Sequence, residues 1–342
     1  VGSDRRASLT RRALVALALL WCAALAHAEP LVVGVDSIGI PVRNLARARE
    51  FYSDALQFEF EYEREIYGEP YERLFGVFGV RMRMARMRLG DEHIELLEFM
   101  TPRGRPTPLD SRSNDRWFQH IAIVVRDMRE AYEHLRSRNV EHASTGPQRL
   151  PDWNANAGGI EAFYFRDPDG NHLEVIKFPP GKGLAKWRAA RGLFQGIDHT
   201  AIVVADTDVS LRYYRDLLGL SVAGAAENYG TEQEHLNNVF GARLRITALR
   251  GSRGPGVELL EYLAPRTGRA IPNDSAATDH WYWQINLLAP RVKAAALALR
   301  DARAATTAIE PIALPPAALG FAGGIVARDP DGHAAMLRGV AP

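Results

Sequence analysis

The chain repeats itself at long range, and this constrains its fold more than any other feature. DSIGIPVRNLARAREFYSDALQFEF, beginning at Asp36, returns as DHTAIVVADTDVSLRYYRDLLGLSV at Asp198, 162 residues later. ELLEFMTPRGR at Glu95 returns as ELLEYLAPRTGR at Glu258, and RDPDG at Arg166 returns at Arg328. Similarity at such a spacing marks duplicated structural units. The repeat predicts one domain over residues 31–178, a linker over 179–195 (PPGKGLAKWRAARGLFQ) and a second domain over 196–340. The 342 residues are too many for one typical domain, and each half is long enough to bury an ordinary core.

Each half divides again. Strand-like stretches SIGIPV, HIAIVV, HTAIVV and QINLLA are each followed by an amphipathic segment such as NLARAREFYSDAL or DMREAYEHLRSRN. Later strands end in EHIELLEFM, HLEVIKF, GVELLEYL and HAAMLRG, and the Asp-Pro-Asp-Gly before two of these suits a tight hairpin turn. The pattern predicts four βαβββ units in an α+β protein, with paired units curling their sheets around a common cavity.

Residues 1–28 have their own organisation. Arg5, Arg6, Arg11 and Arg12 precede the apolar run ALVALALLWCAALA, and Ala26-His27-Ala28 leads into Glu29. A basic flank, a short apolar run and small residues at minus three and minus one are the marks of a secretory signal peptide cleaved after Ala28. The run is shorter than the roughly 20 residues needed to span a bilayer. Thr10-Arg11-Arg12 also resembles a twin-arginine signal, so the expected location is outside the cytoplasm, in a periplasm, with no stable membrane span after cleavage. Trp21 before Cys22 argues against lipid attachment, and cleavage would remove the single cysteine and with it thiol chemistry. It would also take away four positive charges and one negative, turning a net charge of +1 into about −2. Neither value, and no basic stripe interleaved with aromatics, supplies a surface for nucleic acid. The expected partner is a small molecule.

FYSDAL and YYRDLLG, DPDGNHLEV and ELLEY, placed after alternating strands, resemble the vicinal oxygen chelate superfamily over nearly all of residues 31–340. That superfamily includes glyoxalase I, methylmalonyl-CoA epimerase, extradiol dioxygenases and the bleomycin and fosfomycin resistance proteins. The resemblance implies two glyoxalase-like half-barrel domains. It also implies that each unit offers two inward positions, one early in its first strand and one in its last. These positions are Ser37 and Glu95, His120 and Glu174, His199 and Glu258, and Gln284 and Met336. Imidazole and carboxylate ligands on adjacent strands suit Ni, Co, Zn, Mn or Fe and leave positions open for substrate oxygens.

Pairing decides which of these residues meet. If neighbouring units pair, Ser37, Glu95, His120 and Glu174 share one cavity, His199, Glu258, Gln284 and Met336 share the other, and neither set is complete. If units pair across the halves, His120, Glu174, His199 and Glu258 form one intact set, while Ser37, Glu95, Gln284 and Met336 form a cavity with little affinity for a first-row metal. The crossed arrangement explains why DRWFQHIAIVV and DHWYWQINLL share Asp115/Asp279 and Trp117/Trp281 yet differ at His120/Gln284.

A two-histidine, two-carboxylate set resembles bacterial glyoxalase I and the epimerases. It implies a metal-dependent lyase or isomerase in which one divalent ion polarises a carbonyl and a carboxylate moves the proton, Glu174 first and Glu258 second. Two other readings stand beside it: a ring-cleaving dioxygenase using two histidines and one carboxylate on Fe(II), and a non-catalytic binder of the resistance type. Among weaker features, Arg81, Arg83, Arg243 and Arg245 read as a solvated sheet face. His93 and His172 read as exposed strand ends, and Trp117, Trp281 and Trp283 as core or cavity wall.

Overall fold

A computed structural model describes residues 29–315 and 319–339; the leader expected at residues 1–28 lies outside them. Four modules follow one another. The first comprises β1 (Gly34–Pro41), α1 (Leu45–Leu56), β2 (Glu59–Tyr67), a short helix α2 (Glu69–Phe75), β3 (Arg81–Leu89) and β4 (Glu92–Thr101). The second comprises β5 (Gln119–Val125), α3 (Met128–Ser137), two-residue strands β6 (Glu141–His142) and β7 (Gln148–Arg149), then β8 (Glu161–Arg166) and β9 (His172–Lys177). A short helix α4 (Ala185–Ala189) lies in the connector. The third holds β10 (Phe194–Val204), α5 (Thr207–Leu211) continued as a π-helical turn over Arg212–Leu217, β11 (Ser221–Tyr229), α6 (Thr231–Asn237), β12 (Arg243–Arg250) and β13 (Gly256–Ala264). The fourth holds β14 (Gln284–Ala289), α7 (Val292–Asp301), β15 (Ile312–Ala313), β16 (Gly323–Arg328) and β17 (Ala334–Gly339).

Local chemistry sets the helix starts. Asn44, Asp127 and Asp206 each sit in extended backbone and accept a hydrogen bond from a backbone N–H in the first turn that follows. The π-helical register puts both Tyr213 and Tyr214 against the protein, at 6% and 0% exposure.

Neither sheet belongs to one half of the sequence. One runs β15-β16-β17-β14-β1-β4-β3-β2 and joins modules one and four; the other runs β11-β12-β13-β10-β5-β9-β8-β6 and joins modules three and two. The seams are antiparallel, with Gly39 opposite Gln284 in the first sheet and Ala201 opposite His120 in the second. Each sheet is thus a half-barrel of two modules. One apolar core joins the helices to the outer faces of both sheets, through residues such as Tyr52, Leu135, Tyr214 and Leu299. Two further cores fill parts of the concave faces.

The repeated motif residues are the fastenings between modules. The Tyr52 hydroxyl donates to Asp167 at 3.2 Å, and the Tyr214 hydroxyl to Asp329 at 3.1 Å, so the tyrosine of FY or YY is bonded to the first aspartate of DPDG in the next module. Arg269 binds Asp115 through its backbone and side chain and lies over the Trp117 ring at 4.6 Å. Arg105 does the same to Asp279 and Trp281, at 4.9 Å from the ring. The arm after β4 thereby holds module four, and the arm after β13 holds module two.

Candidate metal centre

The alternation of β5, β9, β10 and β13 places His120, Glu174, His199 and Glu258 on the concave face of the second sheet. The register fixes how they meet: Ala122 stands opposite both His199 and Glu174, and Ala201 opposite both His120 and Glu258. Two methyl side chains at the centre leave room for four long ones to converge above them. The structure therefore gathers all four residues named from the sequence, by the crossed pairing.

The ligand atoms of His120, Glu174 and His199 lie within 4.8 Å of one another. His120 Nε2 is 3.0 Å from Glu174 Oε2, and His199 Nε2 is 3.7 Å from the same oxygen. Glu258 approaches His199 Nε2 at 3.4 Å and stands outside the tighter group of three. The side chains of His120, Glu174 and His199 are at most 7% exposed, whereas that of Glu258 is 21% exposed.

The donor set fits a divalent metal. Nδ1 of His120 is buried without a hydrogen-bond partner in the protein, and Nε2 of His120 and of His199 face carboxylate oxygens without hydrogen-bonding geometry, an arrangement that is costly unless something else engages them. The other nitrogen of His199 is held: Nδ1 lies 3.0 Å from Asp198 Oδ2, and Asp198 accepts from Arg250 at 2.6 Å and from the Trp187 indole at 3.2 Å. A carboxylate on Nδ1 fixes the ring and turns Nε2 toward the ligand cluster, the usual support for a metal-binding imidazole. Burial alone would lower the His199 pKa. Glu258, Asp198 and Glu174 outweigh it and push the pKa up to about 9. Burial raises the Glu258 pKa, with His199 pulling against it and Glu174 adding to it.

The matching place in the first sheet is filled from within. Ser37, Glu95, Gln284 and Met336 also come together there, but so do three groups that sequence reasoning passed over. Arg338 donates to both Glu95 oxygens at 2.7 and 2.6 Å and to Asp36 at 2.8 Å, and Arg86 adds a bond to Glu95 at 3.0 Å. Asn286 bonds Ser37 and Glu95 and accepts from Gln284. A guanidinium thus supplies the positive charge that Glu95 would otherwise take from an ion. The signal was in the repeat: Arg338 stands two residues after Met336 where the second module has Ile176 two after Glu174, and Asn286 replaces Ala122.

Of the weaker features, Arg81, Arg83, Arg243 and Arg245 pair with Glu65, Glu98, Glu227 and Asp208 on sheet faces, as expected. Trp117, Trp281 and Trp283 are buried, and each donates its indole N–H to Ser111, Ser275 or Asn171. His93 is part-exposed beside Glu61. His172 corrects its expectation: it is 7% exposed, with the Phe118 ring 4.7 Å away, and burial drives its pKa down to about 3.

Beside the cluster lies a cavity of about 340 Å³ lined by Glu174, His199, Glu258 and Tyr164 among others. No helix among the described residues is long and apolar enough to cross a membrane.

The family model described as Glyoxalase/Bleomycin resistance protein/Dioxygenase superfamily matches residues 34–175 and 196–337. A 2-epi-5-epi-valiolone epimerase from Actinomyces sp is 30% identical over 157 residues, covering 44% of this chain and 83% of that protein. Glyoxalase I from Zea mays has a similar structure, with a TM-score of 0.59 at 16% identity over 90% of this chain and 92% of that one. A putative dioxygenase from Bacillus subtilis subsp. subtilis str. 168 gives 0.55 at 13% identity over 92% and 87%. At these identities both structures establish the fold.

Proposed function

This chain belongs to the Glyoxalase/Bleomycin resistance protein/Dioxygenase superfamily, and we propose that it is a metal-dependent isomerase that moves a proton next to a carbonyl of a small oxygenated substrate. The observation that carries this reading is the convergence of His120, Glu174 and His199, with two imidazoles otherwise lacking partners for buried nitrogens. The match to an epimerase supports isomerisation over the other chemistries of the superfamily.

His120, Glu174 and His199 would hold the ion, with Glu258 completing the set or standing free at its edge. A divalent ion there would supply Lewis-acid polarisation of a substrate oxygen. Asp198 keeps His199 in one orientation. Glu174 lies between the two imidazoles, as a ligand would, whereas Glu258 touches His199 alone and is the more open to the cavity. We therefore assign proton transfer to Glu258 ahead of Glu174, the reverse of the order implied by resemblance. A raised carboxyl pKa suits that work, since a base is most effective when its pKa nears the ambient pH. Much of the cavity wall is apolar, from residues such as Leu150, Ile160 and Leu236. The leader expected at residues 1–28 would place this activity outside the cytoplasm.

A second reading has an observation of its own: two histidines and one carboxylate form the tight group, the set used by non-haem Fe(II) oxygenases. Metal analysis and turnover separate the readings. We expect about one metal per chain, strongly weakened by His199→Ala and hardly altered by Glu95→Ala. Exchange of a substrate C–H proton with deuterated water should proceed without oxygen uptake and be lost in Glu258→Gln while the metal is retained. Oxygen consumption with an iron-loaded protein and a catechol would favour the dioxygenase. Metal uptake insensitive to His199→Ala would refute the site.

A further inference from the structure

We infer that the first sheet carries a binding site of its own, a pocket where the arm after β4 meets module four, and that it takes a small organic anion. Arg43, Arg103 and His280 hold the charged head, and an apolar wall holds the body. The inference does not rest on the reading of the second sheet, because the pocket is lined only by modules one and four and the arms that join them.

The cavity has a volume of about 270 Å³, the space of about nine waters at ~30 Å³ each, which admits a ring-sized body. Val42, Leu97 and Phe99 supply apolar wall, the last two as part of the core that fills the first sheet. Arg43, Arg103 and His280 line the same cavity, and no aspartate or glutamate does so among the described residues. Both arginines are exposed, and neither guanidinium makes a hydrogen bond or ion pair with the described residues. The acids of this region are engaged elsewhere. Glu98 binds the Arg83 guanidinium and the backbone N–H of Leu45, Asp169 accepts from the backbone N–H of Arg43, and Asp279 holds Arg105.

His280 is 8% exposed, and its buried Nδ1 has no hydrogen-bond partner in the protein. Burial lowers its pKa, with Asp169 pulling against this, Arg43 adding to it and Asp279 opposing it, so the ring is neutral at pH 7. A neutral imidazole with its proton on Nδ1 donates to an anion while the two guanidiniums supply the charge. Left empty, that buried nitrogen is a cost to the fold.

The repeat shows that the fold does not require unmatched cations here. Arg43, Arg103 and His280 correspond to Ala205, Arg266 and Arg116 in the other sheet. There each remaining cation meets an acid of the protein, Arg116 with Asp331 at 3.4 Å and Arg266 with Glu261 at 3.7 Å. Only the copy beside His280 keeps its positive charge free for a ligand.

Calorimetric titration of the zinc-loaded full chain tests the inference, using phenyl phosphate, benzoate, benzyl alcohol and inorganic phosphate as probes. At least one of the two aromatic anions is expected to bind about ten-fold or more tightly than both benzyl alcohol and inorganic phosphate, since charge-assisted bonds and apolar contact act together only on it. Tighter binding of phenyl phosphate assigns a phosphate head, and tighter binding of benzoate a carboxylate. Arg43→Gln combined with Arg103→Gln should weaken that anion at least about 30-fold, and His280→Phe, which keeps a ring in place, about ten-fold, with metal content unchanged in both. His199→Ala should leave the affinity as it was. Benzyl alcohol or inorganic phosphate binding as tightly as the aromatic anions, no binding of either anion, or an affinity that survives in the double arginine variant would each overturn the inference. Loss of binding in His199→Ala would also overturn it, by moving the anion to the second sheet; failure of the protein to take up zinc, with anion binding intact, would refute the proposed metal centre alone.

Discussion

Arg338→Met should destabilise the protein substantially and do so in a pH-dependent way. Arg338 is 3% exposed and makes two bonds to Glu95 and one to Asp36. Its loss leaves Glu95, also 3% exposed, with Arg86 at 3.0 Å and the neutral partners Ser37 and Asn286. Stranding one member of a buried ion pair costs about 3–5 kcal/mol. With Arg86 still present the lower end applies, about 3 kcal/mol, or a fall in Tm of roughly 5 °C for a unit of this size. The companion change Glu95→Gln should recover most of that loss, leaving about 1 kcal/mol.

The pH dependence gives an independent check. Burial raises the Glu95 pKa, but Arg338 and Arg86 together bring it below the ordinary carboxylate value. A depressed folded pKa contributes stability above the unfolded value of about 4.3 and loses it as pH falls through the folded value. Arg338→Met removes most of that depression, so urea denaturation curves of the two proteins should lie far apart at pH 7 and converge only as pH falls below about 4. A loss under about 1 kcal/mol at pH 7, or the same loss at about pH 3 and pH 7, would refute the idea that this guanidinium replaces an ion.

Two further outcomes concern the second sheet. Asp198→Asn should weaken metal affinity about 10- to 100-fold at unchanged stoichiometry, because His199 loses the carboxylate that orients it; an unaltered dissociation constant by competition with a chelator would rule that role out. The metal-free His199 pKa of about 9 means that the ring is protonated at pH 7 and contributes stability that is complete below about pH 6.5 and lost as pH rises through about 9. Metal uptake near pH 7 should therefore release about one proton from His199, with affinity climbing until about pH 9. Calorimetry in buffers of different ionisation enthalpy measures this, and a heat independent of buffer would contradict it.

The legible parts of the site were those at matched positions of the four modules. His120 and His199 stand early in the first strands of modules two and three, and Glu174 and Glu258 in their last strands; resemblance to the superfamily marked these positions, since the long repeat itself sets Glu258 against Glu95 and the other three against Gln284, Ser37 and Met336. The four βαβββ modules were legible in the recurring pattern of strands and helices. The crossed pairing was visible only as the better of two sortings, because a strand such as HIAIVV carries no mark of the partner across its seam. Arg338 was missed because one arginine in HAAMLRG reads as a strand-end residue facing water until the facing Glu95 is in place.

The exchange of modules across the seams bears on how such a chain could arise and how it can be divided. A polypeptide covering only residues 31–178 would carry β1 and β5 with the sides that normally meet β14 and β10 laid bare. Its simplest remedy is to pair its β1 with β5 of a second molecule, and its β5 with that molecule's β1, giving a twofold dimer in which each site is shared by two subunits. Seen this way, the linker over 179–195 tethers what would otherwise be two separate polypeptides. The tether also lets the two composite sites diverge, one keeping its imidazoles while the other acquires an arginine, which identical subunits cannot do.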